Sequence, residues 1–147
     1  MEDGRLYRRS LLVLGAGALA APVLSTLGCG PAGGQPPAGK IAAGNVSVIP
    51  AGAFRVVPPW SLGLGRDSSG LWAMSLVCTH AGCDMSGDVG ASSVFCNCHG
   101  SEFNLDGNVL AGPARFGLEH FAVLVDPAGA ITVDADQPVA SSVRTKV

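Results

Sequence analysis

The chain has 147 residues, with nine basic and eleven acidic side chains and a net charge of −2. That length suits one small domain and a targeting segment, and a charge so close to zero excludes nucleic acid as a partner held by a basic face. Charged residues make up 14% and aromatics 5%, while glycine numbers 21.

Residues 1–29 read as an export segment. Tyr7-Arg8-Arg9-Ser10-Leu11-Leu12 places paired arginines before an apolar run from Leu11 to Leu27, broken only by glycine, Pro22 and two hydroxyl residues. The pattern resembles a twin-arginine (Tat) signal. The run is close to the ~20 residues that span a bilayer, which suits an uncleaved anchor. Ala18-Leu19-Ala20 offers a cleavage site early in the run, and Cys29 a lipidation site whose preceding Thr26-Leu27-Gly28 departs from the usual lipobox. An anchored or lipidated form on the periplasmic face of the membrane is expected in preference to full release.

Residues 30–44 are rich in glycine, proline and alanine and read as a linker, either a swinging arm or a plain spacer. A domain is expected over 45–147. Past residue 29 there are six basic and nine acidic side chains, a mildly acidic balance that fits a basic redox partner. Strands are expected at Asn45 to Ile49, Phe54 to Val57, Leu71 to Leu76, Phe121 to Val125 and Ile131 to Val133, with Val94-Phe95 leading into a loop. Turns fall at Asp67-Ser68-Ser69-Gly70, Asp106-Gly107 and Asp126-Pro127-Ala128-Gly129. No helix is expected, and the tail from Asp136 to Val147 reads as disordered. Many short strands between turns argue for an all-β sandwich or barrel.

The chemistry is concentrated between Cys78 and Ser101. Cys78-Thr79-His80-Ala81-Gly82-Cys83 is followed by Cys96-Asn97-Cys98-His99-Gly100-Ser101, so four of five cysteines and two of three histidines share one stretch. Soft thiolate and imidazole donors in this density point to a metal. Two cysteines and two histidines suit zinc as well, but zinc leaves Cys83 and Cys98 unexplained, and disulfides alone leave the histidines unexplained. His120 lies outside the motifs and reads as a surface or edge residue.

The two motifs resemble those of the Rieske iron–sulfur proteins, C-x-H-x-G-C and C-x-C-H-G-S. The resemblance implies a Rieske-type antiparallel β-fold with a small cluster-binding subdomain made of two ligand loops and a proline loop. It implies a [2Fe–2S] cluster, with Cys78 and Cys96 on the inner iron and His80 and His99 on the outer one. Cys83 and Cys98 would form a disulfide tying the loops. Ser101 would donate its hydroxyl to a bridging sulfide, and Gly112-Pro113-Ala114 would form the proline loop. The free ring nitrogens of His80 and His99 would serve protonation or a hydrogen bond to a partner. Ala81 stands where many quinol-oxidising members carry leucine. Phe103 stands where they carry a tyrosine beside a ligand sulfur, which implies a potential in the middle or lower part of the family range of roughly −150 to +300 mV.

The function implied is one-electron transfer from quinol or an oxidase subunit to a cytochrome, with cytochrome b, a c-type cytochrome or a larger oxidase subunit as partner. The alternatives are the small subunit of an exported oxidase such as arsenite oxidase, a ferredoxin-like carrier for a dioxygenase, and a zinc module. The paired cysteines and the export signal count against the dioxygenase carrier.

Overall fold

A computed structural model describes residues 35–147. The twin-arginine segment, Cys29 and the first part of the linker lie outside the described residues. The described chain folds into nine strands and a single 3-10 turn: β1 (Lys40–Asn45), the turn Val46–Val48, β2 (Phe54–Val56), β3 (Leu62–Arg66), β4 (Leu71–Ser75), β5 (Ser93–Cys96), β6 (Ser101–Asn104), β7 (Val109–Ala111), β8 (His120–Val125) and β9 (Ala130–Val139). Six strands make one antiparallel sheet in the order β1-β9-β8-β4-β3-β2, and β5-β6-β7 make a second, smaller one. The expectation of an all-β antiparallel fold with a small subdomain therefore holds.

Period-two alternation builds the first core. Ile41 and Ala43 of β1, Leu62 and Leu64 of β3, Phe121 and Val123 of β8, and Ile131 and Val133 of β9 are all buried together. A second core lies under the small sheet, where Met74, Leu76, Met85, Val94, Phe103 and Leu118 pack around the two unbridged cysteines. Strand β4 serves both: Leu71 and Ala73 face the first core, and Met74 on the alternate face enters the second. Trp72 reinforces the join by donating its indole N–H to the Leu105 carbonyl at 3.2 Å.

Four expectations are corrected. Of the strand expected from Asn45 to Ile49, only Asn45 is in a strand, as the last residue of β1. Val46–Val48 is a turn, because Asn45 Oδ1 accepts the Ser47 N–H at 2.9 Å and draws the backbone round. The linker gives way at its end, since Lys40–Asn45 pairs with β9. The strand Leu62-Gly63-Leu64-Gly65-Arg66 carries no clear strand signal in the sequence, because glycine weakens the pattern. Its glycines make room for rings: a Cβ on Gly63 would lie 2.3 Å from Phe54 Cζ, and one on Gly65 2.2 Å from Trp72 Cζ2. The tail is ordered. Thr145 and Leu71 exchange backbone hydrogen bonds at 2.8 Å, and Thr145 Oγ1 donates to the Val123 carbonyl at 2.7 Å. Arg144 reaches Asp67 at 2.8 Å and Asp106 at 2.7 Å while its guanidinium lies 4.4 Å from the centroid of the Trp72 ring.

Candidate metal centre

Three loops meet at the end of the molecule where β4 stops and β8 starts. The first leaves β4 through Leu76. It curls so that the Cys78 N–H donates to the Cys83 carbonyl and the Gly82 N–H to the Cys78 carbonyl, each at 2.8 Å. The Met85 N–H returns to the Leu76 carbonyl at 2.9 Å, which seats Met85 in the second core. The second loop is the β5–β6 hairpin, in which Cys96 and Ser101 are register partners and the Gly100 N–H donates to the Cys96 carbonyl at 2.9 Å. The third runs from Gly112 to Leu118. Gly112 has φ +88°, and a Cβ there would sit 2.3 Å from the Gly100 carbonyl oxygen, so only glycine brings this loop against the second.

The loops are fastened at three points. Cys83 and Cys98 are joined by a disulfide. The Ala114 N–H donates to Ser101 Oγ at 3.2 Å, which leaves the buried serine its own hydroxyl hydrogen to donate. Thr79 Oγ1 donates to the Phe116 carbonyl at 2.6 Å, clasping the first loop to the third.

The donors sort by burial. Cys78 and Cys96 are free thiols, 2% and 1% exposed. His80 and His99 are exposed, with ring centroids 4.8 Å apart and planes at 83°. The sulfurs of Cys83, Cys96 and Cys98 lie within 4.8 Å of one another. Two of these are spent in the disulfide, so that trio contains one available ligand rather than three. Burial pushes the Cys96 thiol up, and the adjacent Cys78 adds to the shift. Buried paired thiols of this kind gain most from a cation that compensates the thiolate charge. Two sulfur donors inside and two imidazoles outside fit a cluster with unlike irons. Phe103 is fully buried beneath the loops, within the second core, and Pro113 is exposed on the third loop.

His120 is the correction at this site. It is 3% exposed, not a surface residue, because β8 runs between β9 and β4. Its Nδ1 lies 3.1 Å from the Leu118 carbonyl, while Nε2 has no partner among the described residues. Sequence reasoning also missed Thr79 and Phe116. A hydroxyl residue between two donor residues was the available signal for the first; nothing local marked the second.

The Rieske [2Fe-2S] domain profile matches residues 41–122, more than half of the chain. The chain belongs to the Rieske [2Fe-2S] family. Its cofactor is accordingly a Rieske [2Fe–2S] cluster, and its chemistry is iron–sulfur electron transfer. Among similar Rieske proteins is the cytochrome b6-f complex iron-sulfur subunit of Synechococcus sp. (strain WH7803), 35% identical over 83 residues, which are 52% of this chain and 47% of that one. The corresponding subunit of Synechococcus sp. (strain RCC307) is 41% identical over 54 residues, 37% of this chain and 30% of that protein. The chain thus spans about half or less of the length of these relatives. In structure it is similar to the cyanobacterial plasma membrane Rieske protein PetC3 from Synechocystis PCC 6803, with 28% identity and a TM-score of 0.50 over 65% of this chain and 99% of that one.

Proposed function

We propose that this Rieske protein carries single electrons at the periplasmic face of a membrane, from quinol or a similar donor to a cytochrome. The observation that carries the reading is the pairing of two buried free thiols with two exposed imidazoles on loops already joined by a disulfide. In this reading Cys78 and Cys96 hold the inner iron, and His80 and His99 the outer one. A bound [2Fe–2S] cluster supplies a one-electron couple whose potential is raised by the neutral nitrogen ligands. The residues of this chain do the rest. The second core and the Gly100–Gly112 contact keep water from the sulfur side. The exposed rings of His80 and His99 form the face through which a partner is reached. Ser101, whose Oγ accepts the Ala114 N–H, retains a hydroxyl hydrogen to donate to a bound cluster. The resemblance to b6-f iron-sulfur subunits supports a cytochrome-linked chain as the setting.

Protein purified from its native host should contain two irons and two labile sulfides per chain. Its reduced state should give an electron paramagnetic resonance signal whose average g lies below that of an all-thiolate cluster. Zinc in place of iron would sink the proposal. Export by the twin-arginine route, with the N-terminus kept as an anchor or lipidated at Cys29, completes the proposal. Changing Arg8 and Arg9 together to lysine should then leave the protein in the cytoplasm.

A further inference from the structure

Beside His80 lies a cleft of about 150 Å³ lined by Thr79, His80, Pro113, Arg115 and Phe116. Two features of its rim have no structural use. Phe116 is 75% exposed, more than any other large apolar residue described, yet its backbone is pinned by Thr79 Oγ1 at 2.6 Å. An exposed aromatic on a fixed backbone pays little ordering cost on binding, which is the character of an interface anchor.

The second feature is charge. Arg55 is held by the Ala43 carbonyl, Arg66 by the Val46 and Ile49 carbonyls, and Arg144 by Asp67 and Asp106. Arg115 is exposed and makes no hydrogen bond or ion pair among the described residues. It is also the only Lys or Arg in residues 76–119, where the acidic neighbours are Asp84, Asp88, Glu102, Asp106 and Glu119. Three of those carboxylates already have partners: Ser61 and Ser86 for Asp84, Asn97 for Asp88, and Arg144 for Asp106. Glu102 is half-buried on β6, and Glu119 is exposed immediately before β8 and makes no ion pair with Arg115. The described domain is acidic overall, with six basic and nine acidic side chains. Lys40 on β1 and Lys146 in the tail are also exposed without a side-chain partner among the described residues. Arg115, however, is the cation that lies on the ligand loops, so it is the attraction that would orient an acidic partner on the His80 side.

We propose that Arg115 and Phe116 are the docking contact for a redox protein whose electron-exchanging face carries a carboxylate beside an apolar pocket. This reverses the basic partner suggested by the whole-domain balance, and it rests on the electron-transfer reading above. The test uses the reduced full chain and two oxidised c-type cytochromes as probes, one acidic and one basic around the haem edge. At low ionic strength Arg115→Glu should slow electron transfer to the acidic cytochrome about fivefold without slowing transfer to the basic one, and Arg115→Lys should keep most of the rate. Phe116→Ser should slow the acidic cytochrome while leaving the salt dependence unchanged. The reduced-state resonance signal should be unaltered in every variant, and the rates are compared after correction for any shift in potential caused by the altered charge beside His80. A rate within twofold of wild type in Arg115→Glu, equal slowing with both cytochromes, or loss of the signal in the variants would overturn the proposal. Absence of the signal in the wild type would instead overturn the electron-transfer reading, and the docking contact with it.

Discussion

The large sheet and the three-loop end are held together by different physics. The large sheet rests on strand pairing around a continuous aliphatic core, with Leu62, Leu64, Leu71 and Val133 wholly buried. The loop end has a smaller core, several of whose members are sulfur-bearing: Met74, Met85, Cys78 and Cys96. Its loops are fastened one contact at a time, by the disulfide, the Thr79 hydroxyl and the Ser101–Ala114 bond. Loops that must expose two imidazoles have less apolar surface of their own to bury, so crosslinks supplement the smaller core beneath them.

The strongest way to probe the contrast is to damage the large core. Leu64→Ala removes a side chain that is 0% exposed and should cost roughly 2–5 kcal/mol. Urea unfolding followed by circular dichroism and by the cluster's visible absorption should shift together, since the loops stand on β4. A shift in the absorption transition alone would show that the two regions are not ranked in this way.

Breaking the loop end should have a smaller and more local effect. Cys83→Ala opens a bridge between residues 15 apart in sequence, and typical losses are about 2–4 kcal/mol. The expected outcome is cluster loss at lower urea than in wild type, with the far-ultraviolet transition nearly in place. Coincident transitions moved by the same amount would place the disulfide in the global fold instead.

The smallest effect concerns the seam. His120 packs near Met74 and Gly107, where the two cores meet. Burial holds its pKa below the ordinary 6.5; the Leu118 carbonyl opposes that shift, Arg144 adds to it and Asp106 opposes it. A folded-state value below the unfolded one means that the unfolded chain takes up the proton first as pH falls. The contribution of neutral His120 is therefore complete above about 6.5 and declines on acidification until the folded-state pKa is passed. One such group limits the slope to about 1.4 kcal/mol per pH unit. Urea midpoints between pH 7.5 and 5 should fall in wild type and fall less in His120→Phe. Equal slopes in the two proteins would remove His120 from the account.

How much of this was legible in the chain follows from the range of the interactions. The donor residues were readable because each ligand loop is six residues long, and Cys78, His80, Cys96 and His99 sit at local spacings. The Asp126 turn was readable for the same reason, since Asp126 Oδ1 accepts the Ala128 and Ala130 N–H groups at 2.9 and 2.8 Å. The second core and the identity of β3 were not readable. Leu62 to Arg66 is a strand because Phe54 and Trp72 cover its glycines, and both rings come from other strands.

The sequence by itself determined the fold class, the metal-binding character and the pairing of two cysteine–histidine loops, because alternation and donor spacing are short-range properties. Tertiary structure alone decided the rest. Asp67 and Asp106 hold Arg144 from 77 and 38 residues away, which orders a polar tail with no pattern of its own. Thr79 and Phe116 meet across 37 residues. His120 is buried because its strand lies inside a sheet. Arg115 makes no ion pair among the described residues: Asp84, Asp88 and Asp106 are engaged elsewhere, Glu102 lies on β6, and Glu119, four residues on, does not reach it. Contacts of this reach depend on where distant segments come to rest, and no local window of residues records that.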